Sequence, residues 1–320
     1  MTDGGRGKLV LGTRGSRLAL AQTEIVEEAL RGSDPGLALE RRIIRTTGDR
    51  RTDVPLAEVA KADGRVDKGV FIKELEMALE AGEIDVAVHS LKDVPSELAD
   101  GFRIAAVLPR GPAGDVLVSR ALAAGEGWED LPEGARVATG SVRRQRQLQW
   151  LRGDLAVEGI RGNVPTRLGK LAARPDLDAL ILAEAGLRRL GHEGAIHWEG
   201  VALRVHPLDP RGFVPAAGQG AVALEVRRGD RGVAGCIEAV NCPATMEAVT
   251  AEREFLRLLG AGCDTPVGVF GRIEGDRLRL RARVFEDGEE EPLEGEADGP
   301  RGGPQRLAGE LLTKLQRAKP

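Results

Sequence analysis

The residues best suited to chemistry lie in four short stretches, each where an apolar run gives way to a turn. In His89-Ser90-Leu91-Lys92-Asp93-Val94-Pro95 a cation and a carboxylate stand side by side behind a very apolar segment. A carboxylate so placed can stabilise a cationic intermediate or move a proton; the plainer alternative is an exposed ion pair of little energetic weight. Gly12-Thr13-Arg14-Gly15-Ser16 brings an arginine and two hydroxyls to the start of a helix, a setting that holds anions, although Gly-Ser before a helix is also an ordinary cap. Thr139-Gly140-Ser141-Val142-Arg143-Arg144-Gln145 puts adjacent arginines in a first helical turn, where the dipole disfavours each by about 0.3–1 kcal/mol. A bound anion would offset that cost, and a solvated face is the alternative. Ile160-Arg161-Gly162-Asn163-Val164-Pro165-Thr166-Arg167 repeats the pattern, with arginine after a strand and again on the following helix.

A fifth stretch, Gly260-Ala261-Gly262-Cys263-Asp264-Thr265-Pro266, leaves a thiol in a loop with little side-chain bulk. Most isolated cysteines are packed as small hydrophobes, and the open setting is what makes Cys263 a candidate for chemistry. The histidines show no metal-ligand spacing, and His192, His197 and His206 read as structural or surface residues. No metal site is expected. Gly218-Gln219-Gly220 continues as Ala221-Val222-Ala223 and does not complete a dinucleotide fingerprint, and Gly162 to Lys170 lacks phosphate-loop spacing.

The elements that must position these stretches follow from periodicity. A strand over 9–12 precedes a helix over about 17–30 with Ser16 as N-cap, and a second strand covers 39–45. A helix over 71–81, stopped by Gly82, leads into a buried strand at 84–88, and 60–65 reads as a mobile loop. Beyond a Pro-Gly hinge at 109–112, strands over 115–119, 136–139, 155–160 and 179–183 alternate with helices over 142–151 and 164–173, the latter capped by Asn163. Such alternation predicts parallel sheets with helices on both faces and ligands beyond the strand ends. The last segment differs, with a helix over 245–259, strands over 266–273 and 277–285, and a terminal helix over 304–316, and reads as a separate small α+β unit.

The chain has 320 residues, of which 42% are hydrophobic and 30% charged, enough for about two domains, with three permitted. A formal charge of −4 argues against a surface built to hold nucleic acid, and the absence of tyrosine with 3% aromatic content leaves few stacking platforms. Of the 46 basic residues 38 are arginine, the side chain that grips carboxylate bidentately. Eight basic residues against two acidic ones fall between Arg136 and Lys170, a candidate anion site within an acidic protein. No run approaches the roughly 18 apolar residues of a membrane helix, and the polar N-terminus has no signal core, so a soluble cytoplasmic protein is expected. Three cysteines, Cys236, Cys242 and Cys263, do not make a disulfide framework.

Taken together, these stretches resemble the porphobilinogen deaminase (hydroxymethylbilane synthase) family over nearly the whole chain. The likeness is carried by Gly12 to Ser16 with Leu18-Ala19-Leu20-Ala21-Gln22, Lys68-Gly69-Val70-Phe71-Ile72-Lys73-Glu74-Leu75-Glu76, His89 to Pro95, Ser141 to Gln145, Ile160 to Val164, Pro215-Ala216-Ala217-Gly218-Gln219-Gly220-Ala221 and Gly260 to Cys263. Departures are Arg17 where the family usually has proline, Gly140 where it has a hydroxyl residue, and a longer segment before Lys68.

The resemblance implies a transferase of tetrapyrrole biosynthesis. Such enzymes join four porphobilinogen molecules head to tail, release ammonia at each step and free 1-hydroxymethylbilane. They work on a dipyrromethane cofactor held by a thioether, here to Cys263. It further implies two periplasmic-binding-protein-like α/β domains and a small α+β C-terminal domain: domain 1 over 1–112 and 213–231, domain 2 over 113–212, domain 3 over 232–320. Asp93 matches the catalytic carboxylate. Arg14, Ser16, Gln22, Ser90, Lys92, Thr139, Ser141, Arg143, Arg144, Arg161, Arg167 and Arg189 match cofactor- and substrate-binding positions, with Lys68 and Lys73 at the lid. The product would pass from a monomeric enzyme to uroporphyrinogen-III synthase. The alternative reading is a two-lobed binding protein for a small polycarboxylate, which would need neither a third domain nor an open-loop thiol. On the sequence alone, replacing Arg143 or Arg144 by leucine should impair cofactor loading or elongation more than folding.

Overall fold

The computed structural model describes residues 8–46, 72–120, 122–123, 125–262 and 265–317. The chain divides into two compact units, one of residues 1–110 and 221–247, the other of 111–220 and 248–320.

In the first unit, β1 (Lys8–Thr13), β2 (Ala38–Ile43), β3 (Val86–Ser90), β4 (Phe102–Val107) and β11 (Val222–Arg227) form one sheet in the order β2-β1-β3-β11-β4. Side chains alternate across it, as the strand repeat requires. Leu9, Leu11, Val86, Val88, Leu224 and Val226 join Val26 and Leu30 of helix α1 (Arg17–Ser33) and Val233 and Ile237 of α6 (Arg231–Glu238) in one core. Ala87 and Phe102 pack on the other face with Leu75, Ala78 and Leu79 of α2 (Lys73–Glu80).

The second unit holds a six-stranded sheet in the order β7-β6-β8-β5-β10-β9, from β5 (Asp115–Ser119), β6 (Arg136–Ala138), β7 (Ala156–Glu158), β8 (Ala179–Ala183), β9 (Ala195–Trp198) and β10 (Val201–Pro207). Leu148 of α3 (Val142–Leu151) covers one face, and Leu168 and Leu171 of α4 (Val164–Ala173) with Leu187 of α5 (Glu184–Arg189) cover the other. The same unit contains β12 (Val267–Glu274), β13 (Arg277–Val284) and β14 (Leu293–Pro300), an antiparallel sheet with its own core. Leu278, Leu280 and Ala282 face Phe255 of α7 (Pro243–Leu259) and Leu307, Leu311 and Leu315 of α8 (Pro304–Arg317).

Two expectations need correction. The larger sheets are mixed: β1 runs parallel to β2 and β3, and β6 to β7 and β8, but β11 is antiparallel to β3 and β4, and β5 to β8 and β10. A strand that arrives after a long excursion through the other unit is not bound by the local crossover that makes neighbours parallel. The chain also rejoins the first unit at Ala221, not at 213, because residues 213–220 are tied to the second. The Gln219 amide donates to the carbonyls of Ala113 and Gly114, and the Gly111 N–H donates to the Gly220 carbonyl. The loop at 60–65 lies outside the described residues.

Candidate functional site

In the first unit the site begins with how β3 ends. The Leu91 N–H donates to the Ala221 carbonyl at 3.0 Å, and a single 3-10 turn over Leu91–Asp93 closes with the Val94 N–H on the Leu91 carbonyl. Leu91 and Val94 are buried, and Lys92 and Asp93 between them are exposed. Two apolar anchors thus fix a short turn whose charged side chains must point outward, and among the described residues nothing pairs with the Asp93 carboxylate.

Behind the turn, Gln22 of α1 and Ser90 form a reciprocal pair, with Gln22 Nε2 donating to Ser90 Oγ at 2.8 Å and Ser90 Oγ donating to Gln22 Oε1 at 3.0 Å. Gln22 is 3% exposed, so it acts on the end of β3 through Ser90. Ser16 caps α1, its Oγ accepting the Ala19 N–H at 3.2 Å, and Arg14 is half-buried just before it. Sequence reasoning missed the buried His89–Glu225 pair one residue upstream of Ser90, at 2.8 Å, because Glu225 is far away in sequence on β11. Lys73 opens α2 and is exposed; Lys68 and Asp49 lie outside the described residues.

In the second unit the loops ending β6 and following β7 are brought together. A Cβ on Gly140 would lie 2.8 Å from the Ile160 carbonyl and 3.9 Å from an Arg167 amine, so glycine permits the approach. Arg167 Nε donates to the Gly162 carbonyl at 2.7 Å, Lys170 donates to the Arg161 carbonyl at 3.0 Å, and Arg161 is half-buried. Thr139 is fully buried, its Oγ1 accepting the Ser141 N–H at 3.3 Å. Ser141 occupies the N-cap of α3 without capping it, which leaves first-turn N–H groups for another acceptor.

Arg143 and Arg144 differ most from the sequence reading. They are 4% and 6% exposed, and the carboxylate beside them belongs to the chain itself. Asp115 Oδ2 accepts from Arg143 Nη2 at 2.8 Å, and Oδ1 from Arg144 Nη2 and Nε at 2.7 and 3.0 Å. Burial pushes the Asp115 pKa up, but attraction to the two guanidiniums and the Gln219 hydrogen bond outweigh it and hold the pKa at about 2. The expectation that leucine at either position would spare folding is therefore reversed, since each substitution strips the buried Asp115 carboxylate and a buried main-chain carbonyl of hydrogen-bond donors. One carboxylate against two guanidiniums leaves an excess positive charge, and the buried Arg143 Nε has no acceptor among the described residues. Arg189 donates from Nη2 to the Gly220 carbonyl at 2.6 Å, and burial pulls its pKa below the usual arginine range.

Cys263 lies outside the described residues. Upstream, Gly260 at φ +67° ends α7, with the Ala261 N–H on the Leu256 carbonyl; Gly262 and Thr265 hydrogen-bond to each other. The other two cysteines, Cys236 and Cys242, are free and half-buried, and the Cys242 sulfur accepts from Thr245 Oγ1 at 3.2 Å.

Residues 9–235 match the family model described as "Porphobilinogen deaminase, dipyromethane cofactor binding domain", and residues 246–316 match its C-terminal domain. The chain belongs to the porphobilinogen deaminase family. Relatives named porphobilinogen deaminase include that of Rubrobacter xylanophilus, 46% identical over 96% of this chain and 95% of the relative, and that of Desulforudis audaxviator, 44% identical over 97% and 94%. Among solved structures, the periplasmic VFT2 domain of Bordetella pertussis BvgS aligns at 18% identity with a TM-score of 0.39, covering 73% of this chain and 85% of that one. Within the family's cofactor-binding domain fall Asp93 and every arginine discussed above. Among the described residues no helix is long and apolar enough to cross a membrane.

Proposed function

We propose that the protein performs the reaction for which its family is named, joining four porphobilinogen molecules head to tail with loss of ammonia to give 1-hydroxymethylbilane. A dipyrromethane group bound through a thioether to Cys263 would supply the primer on which the chain grows. The residues present suit such a polycarboxylate: the excess charge at Arg143 and Arg144, the Arg143 Nε that has no acceptor among the described residues, the uncapped start of α3 at Ser141 and the buried Arg189 all favour an anion.

The observation that carries the mechanism is the exposed Asp93 carboxylate on its anchored turn, without a partner among the described residues. Loss of ammonia from an aminomethylpyrrole leaves a cationic pyrrole. A carboxylate about 4 Å away stabilises such a cation by roughly 4 kcal/mol at an effective dielectric near 20, on the order of a thousandfold in rate. Asp93 can also accept and return protons at its carboxylate oxygens. Arginines repel that cation, so Arg14, Arg143, Arg144, Arg161, Arg167 and Arg189 hold the remote acetate and propionate groups, and Lys92, Thr139 and the Ser16 and Ser141 hydroxyls add polar contacts to the cofactor and substrate. Gln22 and Ser90 fix the end of β3, and Lys68 and Lys73 belong to the lid segment. The enzyme works as a cytoplasmic monomer that passes its product to uroporphyrinogen-III synthase.

The experiment is to supply porphobilinogen and follow ammonia and hydroxymethylbilane together. Four ammonia molecules per product are expected; substrate bound but not consumed would favour the polycarboxylate-binding alternative.

A further inference from the structure

We infer that Asp115, with Gln219 fixing its carboxylate, is the positioning residue that orients Arg143 and Arg144 for an incoming carboxylate. The inference rests on the reading that this arginine pair binds substrate or cofactor carboxylates. Asp115 and Gln219 are both fully buried. Gln219 Nε2 donates to Asp115 Oδ1 at 2.9 Å while also holding the carbonyls of Ala113 and Gly114 at 2.7 and 3.1 Å. The acceptor is thereby tied to its own strand entry by a contact that does not involve the arginines. Arg144 is then tied at Nε and Nη2 to Asp115 and at Nη1 to the Ile181 carbonyl at 3.0 Å. Arg143 is tied at Nη2 to Asp115 and at Nη1 to the Val214 carbonyl at 2.7 Å.

This arrangement is costly as mere architecture. Three charges are removed from water and one remains uncompensated, whereas apolar side chains of similar volume fill such space at no loss of stability. What the arrangement supplies is orientation. Two guanidiniums fixed at several points present their remaining N–H groups without reorganising, and the residual positive charge favours an anion over water. The orphaned Arg143 Nε is a donor with no acceptor among the described residues.

The test uses the full chain purified with its cofactor. Asp115→Asn, Asp115→Glu, Gln219→Met and Arg144→Gln are compared for thermal midpoint, cofactor content by intact mass, and KM and kcat for porphobilinogen well below each midpoint. Positioning predicts that folded Asp115→Asn either fails to load cofactor or raises KM about tenfold with kcat changed less than about threefold. Asp115→Glu, which restores the charge one methylene away, should recover part of the loss. Gln219→Met should raise KM by about threefold or more. Folded, loaded Asp115→Asn with KM within about twofold of the unmodified enzyme overturns the inference. If Asp115→Asn does not fold, an unchanged KM in Gln219→Met overturns it instead. Arg144→Gln separates the two levels. An unchanged KM there removes the carboxylate-binding reading and the inference with it, whereas a raised KM there, unaccompanied by any effect at Asp115 or Gln219, removes the positioning role alone.

Discussion

Asp93 and the Asp115 cluster are opposite uses of the same functional group. One carboxylate is exposed on a turn between Leu91 and Val94, with no partner among the described residues; the other is sealed between two arginines and a glutamine. In the proposed mechanism the charge of Asp93 is the active quantity. Asp93→Asn keeps the size and should lower turnover by about a thousandfold with porphobilinogen binding largely intact, and Asp93→Glu should retain more activity. Single-turnover ammonia release from cofactor-loaded variants checks this, and a normal rate in loaded Asp93→Asn would remove Asp93 from the mechanism. For the cluster, Arg143→Leu or Arg144→Leu should cost about 1–3 kcal/mol of stability in denaturant titrations, because each leaves buried oxygens of Asp115 and the main chain short of a hydrogen-bond donor.

The cluster also sets an acid limb. The Asp115 pKa is depressed from 3.8 to about 2, so its stabilisation is complete above pH 3.8 and is lost as the pH falls through about 2. A shift of that size is worth roughly 2–3 kcal/mol. Subtracting the Asp115→Asn denaturation curve from that of the unmodified protein isolates this group, and the difference should shrink only below about pH 4.

At the scale of elements, the chain crossing at residues 213–221 controls how the second unit closes on itself. Gly220 has φ +86°, and a Cβ there would lie 2.6 Å from the Gly111 carbonyl and 2.8 Å from that of Pro112. Gly220→Ala should therefore cost at least about 1–3 kcal/mol, with a lower thermal midpoint as the readout. Helices α3 and α4 were legible in the sequence to the residue, because each begins at a hydroxyl or amide residue and carries its own apolar spacing. Strand β14, Leu293–Pro300, was not, since it alternates polar residues with glycine and alanine and gains its place only by pairing with β13. Strand β11 was missed for a related reason: its partners, β3 and β4, lie far away in sequence. The charged loops themselves were fully legible. What the sequence hid was burial, because nothing local to Arg143 and Arg144 announces that Asp115, 28 residues upstream of Arg143, will reach them.

At the scale of the whole molecule, an acidic chain of net charge −4 carries eight basic residues against two acidic ones between Arg136 and Lys170. The proposed reaction requires that this chain assemble and keep a covalent dipyrromethane primer at one thiol. Intact-protein mass spectrometry of the purified, denatured chain tests it most directly, with Cys263→Ser, Cys236→Ser and Cys242→Ser measured alongside. The expected result is a mass increment of one dipyrromethane on the unmodified chain and on the Cys236 and Cys242 variants, and the bare polypeptide mass for Cys263→Ser, because an alcohol near neutral pH is far less nucleophilic than a thiol. A bare mass for the unmodified chain after incubation with porphobilinogen, or the full increment on Cys263→Ser, would contradict it.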